Sequence, residues 1–319
     1  MSGWSVMPEA PVWVVEDPGR DDAGAVAGRL GPPFRRIRIG TPLDQRVREG
    51  SRPRLVISAG PRAALWSLAM RSQSGCRTVH CAGLDMGWEL SAGRDAAGNA
   101  LRRLRAGALT RMFDLAVVPG AGRTLPDRAI GVVGSPHLVS PALLARARDL
   151  WAERLSHLPR FRVAVLLGGG RPDQGMELAR RVSAIARHGS GCVVASVLAG
   201  CSHETADNFA AGLSGCLSLV FRHGEPGEDP TLAFLGTAHA SVVAHAGARA
   251  LLEACATGGP VLVSSPAGAP ARLLARQLEA EGQVRPLEHG MTSWTRQPLD
   301  EAGRVARIVR GRLLASAGS

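Results

Sequence analysis

Residues 240–263 read ASVVAHAGARALLEACATGGPVLV, and only Arg249 and Glu253 carry a full charge in that run. ASVVAH has the unbroken apolar character of a strand covered on both faces. Gly247 turns the chain. ARALLEACATG has the residue types of a short helix that stops at Gly258, and PVLVSS begins another strand. Strand, turn, helix, strand is the unit from which parallel sheets are built.

The same alternation extends in both directions. Upstream, VWVVE (12–16), RLVISAG (54–60), RTVHCAG (77–83), FDLAVVPG (113–120) and AIGVVGSPH (129–137) read as strands, with FRRIRIG (34–40) as an edge strand. DDAGAVAGRLG (21–31) and PRAALWSLAMRS (61–72) read as helices between them. PALLARARDLWAERLSHLP (141–159) reads as one long amphipathic helix. The pattern then restarts with FRVAVLL (161–167), a GGGR turn and the helix QGMELARRVSAIARHG (174–189). The class is α/β, with two doubly wound, Rossmann-like parallel-sheet domains expected at 1–159 and 160–319. They are expected to face a cleft that takes ligands at the carboxyl ends of the strands. A basic final helix, Leu299 to Leu314, is expected to return to the first domain.

Composition narrows the function classes. The chain of 319 residues is 45% hydrophobic, which supports globular domains. The formal net charge is +11, but all 38 basic residues are Arg and Asn occurs only at Asn99 and Asn208. That usage reflects a GC-rich coding bias, so the charge is discounted as a nucleic-acid signal and no nucleic-acid partner is expected. The six cysteines form no C-x-x-C pair, which argues against a zinc site and for a reducing cytoplasm. The first 20 residues lack the apolar core of a signal peptide. ALRRLRAGALTRMF (100–113) places Leu101, Leu104, Ala108 and Met112 near one face, with arginines elsewhere. The plain reading is a helix on the sheet with a wet basic face. The sharper one is contact with an anionic membrane surface, which would place a cytoplasmic protein peripherally at the inner membrane.

Gly168, Gly169 and Gly170 stand between a strand and a helix, where backbone N–H groups and a helix N-terminus can receive phosphate. Glycine-rich turns there also arise for steric reasons alone. The segment is neither G-x-G-x-x-G nor a P-loop, which disfavours a dinucleotide enzyme or a P-loop ATPase. Arg249 and Glu253 are four apart on one helix face. They suit an exposed ion pair, or a carboxylate that accepts bonds from two vicinal ribose hydroxyls; spacing leaves both readings standing. His137, Asp17 and Asp22 fall near expected strand ends and are candidates for a general base. His80, His239 and His245 alternate with apolar residues and read as structural.

Gly247 and Glu253, six apart, match the donor-binding segment of GT-B glycosyltransferases, in which the glutamate holds the ribose of a nucleotide sugar. The whole chain resembles the ELM-type family, bacterial proteins of GT-B type related to a plant mitochondrial fission protein. The resemblance rests on FDLAVVP (113–119), GSPHLVSPALLARA (134–147), AVLLGGG (164–170), DPTLAFLGTA (229–238), EACATGGPV (253–261) and GQVRPLEHGMTSWTRQPLDEA (282–302). It implies a metal-independent glycosyltransferase with no cofactor. Such an enzyme moves a sugar from a nucleotide-diphosphate sugar to a cell-envelope or polysaccharide acceptor. Gly168–Gly170 and Ser196 would line the phosphates, Gly247 would let the donor approach, and Glu253 would hold the ribose. The chain also departs from the family. It has no Gly-His element after the first strand, Val197-Leu198-Ala199-Gly200 where the family has R-R-T-P, and AGARA (246–250) where it has D-S-x-S-M. Arg249 could supply part of the lost positive charge. These losses keep open a second reading, a non-catalytic binding or scaffold protein on a degenerate GT-B fold.

Overall fold

The computed structural model describes residues 12–31, 33–39, 52–82, 104, 106–120, 125–290 and 294–314. The expectation about a leader falls partly on residues 1–11, outside the described residues. So do 100–103 and 105 of the basic stretch.

The apolar runs form two separate sheets. One has the order β2-β1-β3-β4-β5-β6, made of β1 (Val12–Glu16), β2 (Phe34–Arg38), β3 (Leu55–Ala59), β4 (Arg77–Cys81), β5 (Leu115–Pro119) and β6 (Ala129–Val132). The other has the order β12-β11-β10-β7-β8-β9. It comprises β7 (Arg162–Leu167), β8 (Cys192–Val197), β9 (Ser218–Arg222), β10 (Ala240–Ala244), β11 (Val261–Ser264) and β12 (Arg285–Pro286). Every pairing is parallel. Parallel strands need covered faces, which explains why β1, β3, β5, β7, β8 and β10 are buried almost end to end. Each fully buried Val, Leu or Ile contributes about 1.5–3 kcal/mol, so the strands dominate the energetics.

Two compact units result. The first joins the described residues up to Leu138 to those from Glu301 onward; the second is Val139–Asp300. The division therefore falls some 20 residues before the expected break at Pro159. The reason lies in helix α3 (Pro141–Leu150), which packs on α6 (Thr231–Thr237) so closely that a Cβ on Gly236 would stand 2.5 Å from the Leu144 carbonyl oxygen. α3 is also shorter than the expected 141–159 helix. Ser140 caps its start, accepting the Leu143 N–H at 3.0 Å, and turns replace helix after Leu150.

The first unit carries α1 (Asp22–Leu30) and α2 (Pro61–Ser74), with α9 (Glu301–Val309) added from the far end of the chain. Val305, Ala306 and Val309 of α9 enter one core with Val14, Leu55 and Val117. The second unit carries α3, α4 (Pro172–His188), α5 (His203–Gly212), α6, α7 (Ala248–Cys255) and α8 (Gly268–Ala280). In the helical stretch 106–112, Ala106 joins the core while Leu104 and Met112 are exposed, so the expected buried face is not the buried one. Among the described residues no helix is long and apolar enough to cross a membrane.

One buried polar group makes the first unit acid-sensitive. His80 on β4 is fully buried and stacks on Phe113 at 4.8 Å. The Ser58 hydroxyl donates to the Val79 carbonyl at 3.3 Å and lies 3.0 Å from His80 Nδ1. Among the described residues Nε2 is buried without a hydrogen-bond partner, so a proton added to the ring would bring a charge that nothing there solvates. Burial, helped by the Arg20 charge, lowers the imidazole from 6.5 to about 4. The unfolded chain binds the extra proton between those values, so this contribution is complete above about pH 6.5 and lost as pH falls toward 4. Urea unfolding should show about 2 kcal/mol less stability at pH 4.5 than at pH 7 from this group. His80→Leu should flatten that slope. An unchanged slope in the variant would assign the acid sensitivity elsewhere.

Candidate functional site

In the second sheet, strand order reverses between β7 and β10, and their carboxyl ends lie side by side. The Gly168 N–H donates to the Ala244 carbonyl at 2.9 Å and carries the pairing one step past the strands. A Cβ on Gly168 would lie 2.6 Å from the Ala246 Cα and 2.7 Å from the His245 carbonyl oxygen. Gly170 has φ +104°, and a Cβ there would meet the His245 ring at 2.9 Å. The first and third glycines are thus required by the neighbouring loop. Gly169 is not, since its Cβ would make only an ordinary 3.7 Å contact.

Gly247 is the second glycine that the fold does not demand. It is the N-cap of α7, with φ −74° and ψ 174°, and a Cβ there would meet nothing within 4 Å. Among the described residues no side chain caps the N-terminus of α7. The first-turn N–H groups of a helix have no intrahelical acceptor and carry its positive dipole end.

Strained backbone surrounds this point. His245 at the end of β10 has φ +49°, and Ser265 after the neighbouring β11 has φ +46°. Non-glycine residues rarely adopt this region, and strain of this kind clusters at functional sites. The loops brace each other: the His245 N–H donates to the Ser264 carbonyl at 3.0 Å and the Ala267 N–H to the Ala246 carbonyl at 2.9 Å. Burial, with the nearby Arg171 charge, lowers the His245 pKa and favours the neutral ring.

Glu253 does not enter the core. It lies at the margin of α7, its side chain 18% exposed, and its Oε1 accepts from Arg249 Nε at 2.8 Å. The exposed ion pair exists, with its guanidinium in solvent and its carboxylate partly shielded. Ser196, near the end of β8, is buried, and its hydroxyl accepts from Thr231 Oγ1 at 2.7 Å. It lies in the strand layer, while Gly168–Gly170 form the loop above. Two residues passed over in the sequence brace that loop. Ser202 donates to Thr205 Oγ1 at 2.8 Å, and Thr205 donates to the Gly170 carbonyl at 2.9 Å. The S-x-x-T pattern at the start of α5 was the available signal.

The base candidates belong to the first unit. Asp17 follows β1 where that sheet reverses order. Its carboxylate accepts the Arg62 N–H at 3.2 Å and the Ala63 N–H at 2.9 Å, capping α2 from a distance. Asp22 opens α1, buried, with Arg20 Nη1 3.4 Å from Oδ2 and a hydrogen bond from Ser135. Burial raises its pKa, against the pull of Arg20. His137 is buried two residues beyond Ser135, so the segment that carries it passes the start of α1. Asp22 and His137 therefore share a neighbourhood, and Asp17 is directed to α2.

Comparison with known proteins follows this geometry. No curated protein sequence matches the chain. Among solved structures, UDP-GlcNAc 2-epimerase from Neisseria meningitidis, bound to UDP-GlcNAc, superposes with a TM-score of 0.55 at 13% identity, covering 96% of this chain and 99% of that one. UDP-GlcNAc 2-epimerase from Methanocaldococcus jannaschii gives 0.51 at 11%, covering 94% and 98%. Os79 from O. sativa in complex with UDP gives 0.51 at 14%, covering 94% and 90%. At these identities the likeness is one of fold, the GT-B type. The model of the family described as Mitochondrial fission ELM1 matches residues 107–313. The chain belongs to that family.

Proposed function

We propose that the second unit binds a nucleotide-diphosphate sugar at the β7/β10 edge, and that the protein transfers the sugar to a hydroxyl of a cell-envelope or polysaccharide acceptor. The observation that carries this reading is the pair Gly169 and Gly247. Neither is demanded by backbone angle or by packing, and both border the uncapped start of α7. Open space kept beside the N-terminus of a helix suits a phosphate. Glu253 then offers a carboxylate to the ribose hydroxyls and Arg249 a charge to the anion. The structures of similar fold that hold UDP or UDP-GlcNAc support the donor class.

In the reaction the acceptor oxygen bonds to the anomeric carbon as the bond to the diphosphate oxygen breaks. The hydroxyl proton passes to a base, and the new charge on the departing diphosphate is met by the helix N-terminus and Arg249.

The first test is a thermal-shift screen with UDP-, GDP-, ADP- and CMP-sugars. A bound donor raises the melting temperature by mass action. Gly247→Val should leave stability within about 1 kcal/mol of wild type yet abolish the shift. Gly168→Ala should instead cost about 1–3 kcal/mol of folding stability, because its Cβ meets backbone. A shift that survives Gly247→Val removes the donor from this edge.

Turnover is tested separately, by release of nucleotide in the presence of acceptor extracts. Binding with no turnover under any acceptor condition would establish the scaffold reading.

A further inference from the structure

α7 is only eight residues long, about two turns, and so has few internal hydrogen bonds to hold it straight. Its C-terminus lacks the glycine cap that ends many helices: Ala256 follows in right-handed geometry at φ −71°. The last carbonyls of such a helix need donor partners from elsewhere.

One side chain supplies them. Arg296 lies in the segment 294–300 that closes the second unit. Its Nε donates to the Gly259 carbonyl at 2.8 Å, and Nη1 donates to the Cys255 carbonyl at 2.8 Å and to Gln283 Oε1 at 3.2 Å. Its Nη2 donates to the Ala254 carbonyl at 3.3 Å and to Thr257 Oγ1 at 3.0 Å. The Leu299 N–H adds a bond to the Cys255 carbonyl at 2.8 Å. Among the described residues no carboxylate pairs with this guanidinium, and burial pushes the neighbouring Cys255 thiol up to about 12, so it stays neutral. The charge of Arg296 is thus met by neutral oxygens, chiefly those of the negative end of α7. A lysine has three donors at one point and could not reach five acceptors in a plane.

Glu253 immediately precedes the two residues whose carbonyls Arg296 holds, and Gly247 lies at the opposite end of the same two turns. We infer that Arg296 is a positioning residue: it fixes α7 from behind and thereby sets where Glu253 and the first-turn N–H groups meet the nucleotide. This rests on the donor reading above, and the test separates the two.

Nucleotide affinity is measured by calorimetry with UDP, GDP, ADP and CMP for wild type, Arg296→Ala, Arg296→Lys, Glu253→Ala and the double variant Arg296→Ala/Glu253→Ala. Hydrogen exchange of the amides from Leu251 to Ala256 is followed without ligand. Arg296→Ala should weaken binding about tenfold, as displaced groups do, and Lys should not restore it. In the Glu253→Ala background the same change should cost clearly less, because one of the two positioned groups is gone and only the first-turn N–H groups remain to be displaced. Millimolar methylguanidinium should restore affinity to Arg296→Ala alone. Exchange across α7 should quicken in both Arg296 variants. Unchanged affinity in Arg296→Ala, or an equal loss with and without Glu253, overturns the inference. If wild type binds none of the four nucleotides, the donor reading fails, and the positioning role fails with it. The exchange data then still decide whether Arg296 clamps α7. Should Arg296→Ala not fold, Thr257→Val removes one acceptor of the clamp and takes its place in the same measurements.

Discussion

At the reversal of strand order in the second sheet, the turn after β7 runs directly over the turn after β10. Only a missing side chain at Gly168 makes this approach feasible, since a Cβ there would coincide with the backbone of Ala246. The contact has consequences on both sides. It pushes His245 into the left-handed region, seats its ring against Gly170, and sets the start of α7 beside the glycine turn. The hydroxyls of Ser202 and Thr205 then hold the turn from α5. An edge in which two loops, two strained residues and an uncapped helix converge is expensive in backbone energy. Such strain persists only where the surrounding structure over-determines it.

Much of this was legible in the sequence because parallel sheets write themselves plainly. Strands covered on both faces appear as unbroken apolar runs, so β1, β3, β7, β8 and β10 could be read one by one. Gly247, Arg249 and Glu253 could be placed on one short helix from spacing alone. What spacing cannot carry is contact between distant segments. The commitment of Asp17 to α2 depends on a partner 45 residues away. The clamp on α7 comes from Arg296, some 40 residues downstream. The end of α3 was misjudged for a related reason. Its amphipathic pattern continues past Leu150, but the chain turns at Trp151, and packing on α6 assigns α3 to the second unit. Ser196 shows the limit from another direction: a serine near a strand end looks like a ligand contact until Thr231 is found on its hydroxyl.

The two units handle buried charge differently. The first gathers Glu16, Asp22 and His80 near the carboxyl ends of its strands. Burial there raises both carboxyl groups and lowers the imidazole, so each is driven toward its neutral form. Glu16 is relieved by the Gly24 N–H at 2.8 Å and by Arg36 at 3.4 Å. The second unit surrounds the partly buried guanidinium of Arg296 with carbonyls. A cation held on helix C-terminal oxygens is stabilised by the negative end of the helix dipole.

The chain path also dictates an order of assembly. The second unit is continuous from Val139 to Asp300, whereas the first is split, and α9 supplies part of its core from beyond residue 300. During synthesis the N-terminal segment therefore emerges with only α1 on that face of its sheet, and the face cannot be fully covered until nearly the whole chain has been made. The unit encoded second is able to complete itself first. The waiting face, lined by Val14, Leu55 and Val117 among others, is an apolar surface open to chaperones and to aggregation for most of the translation time.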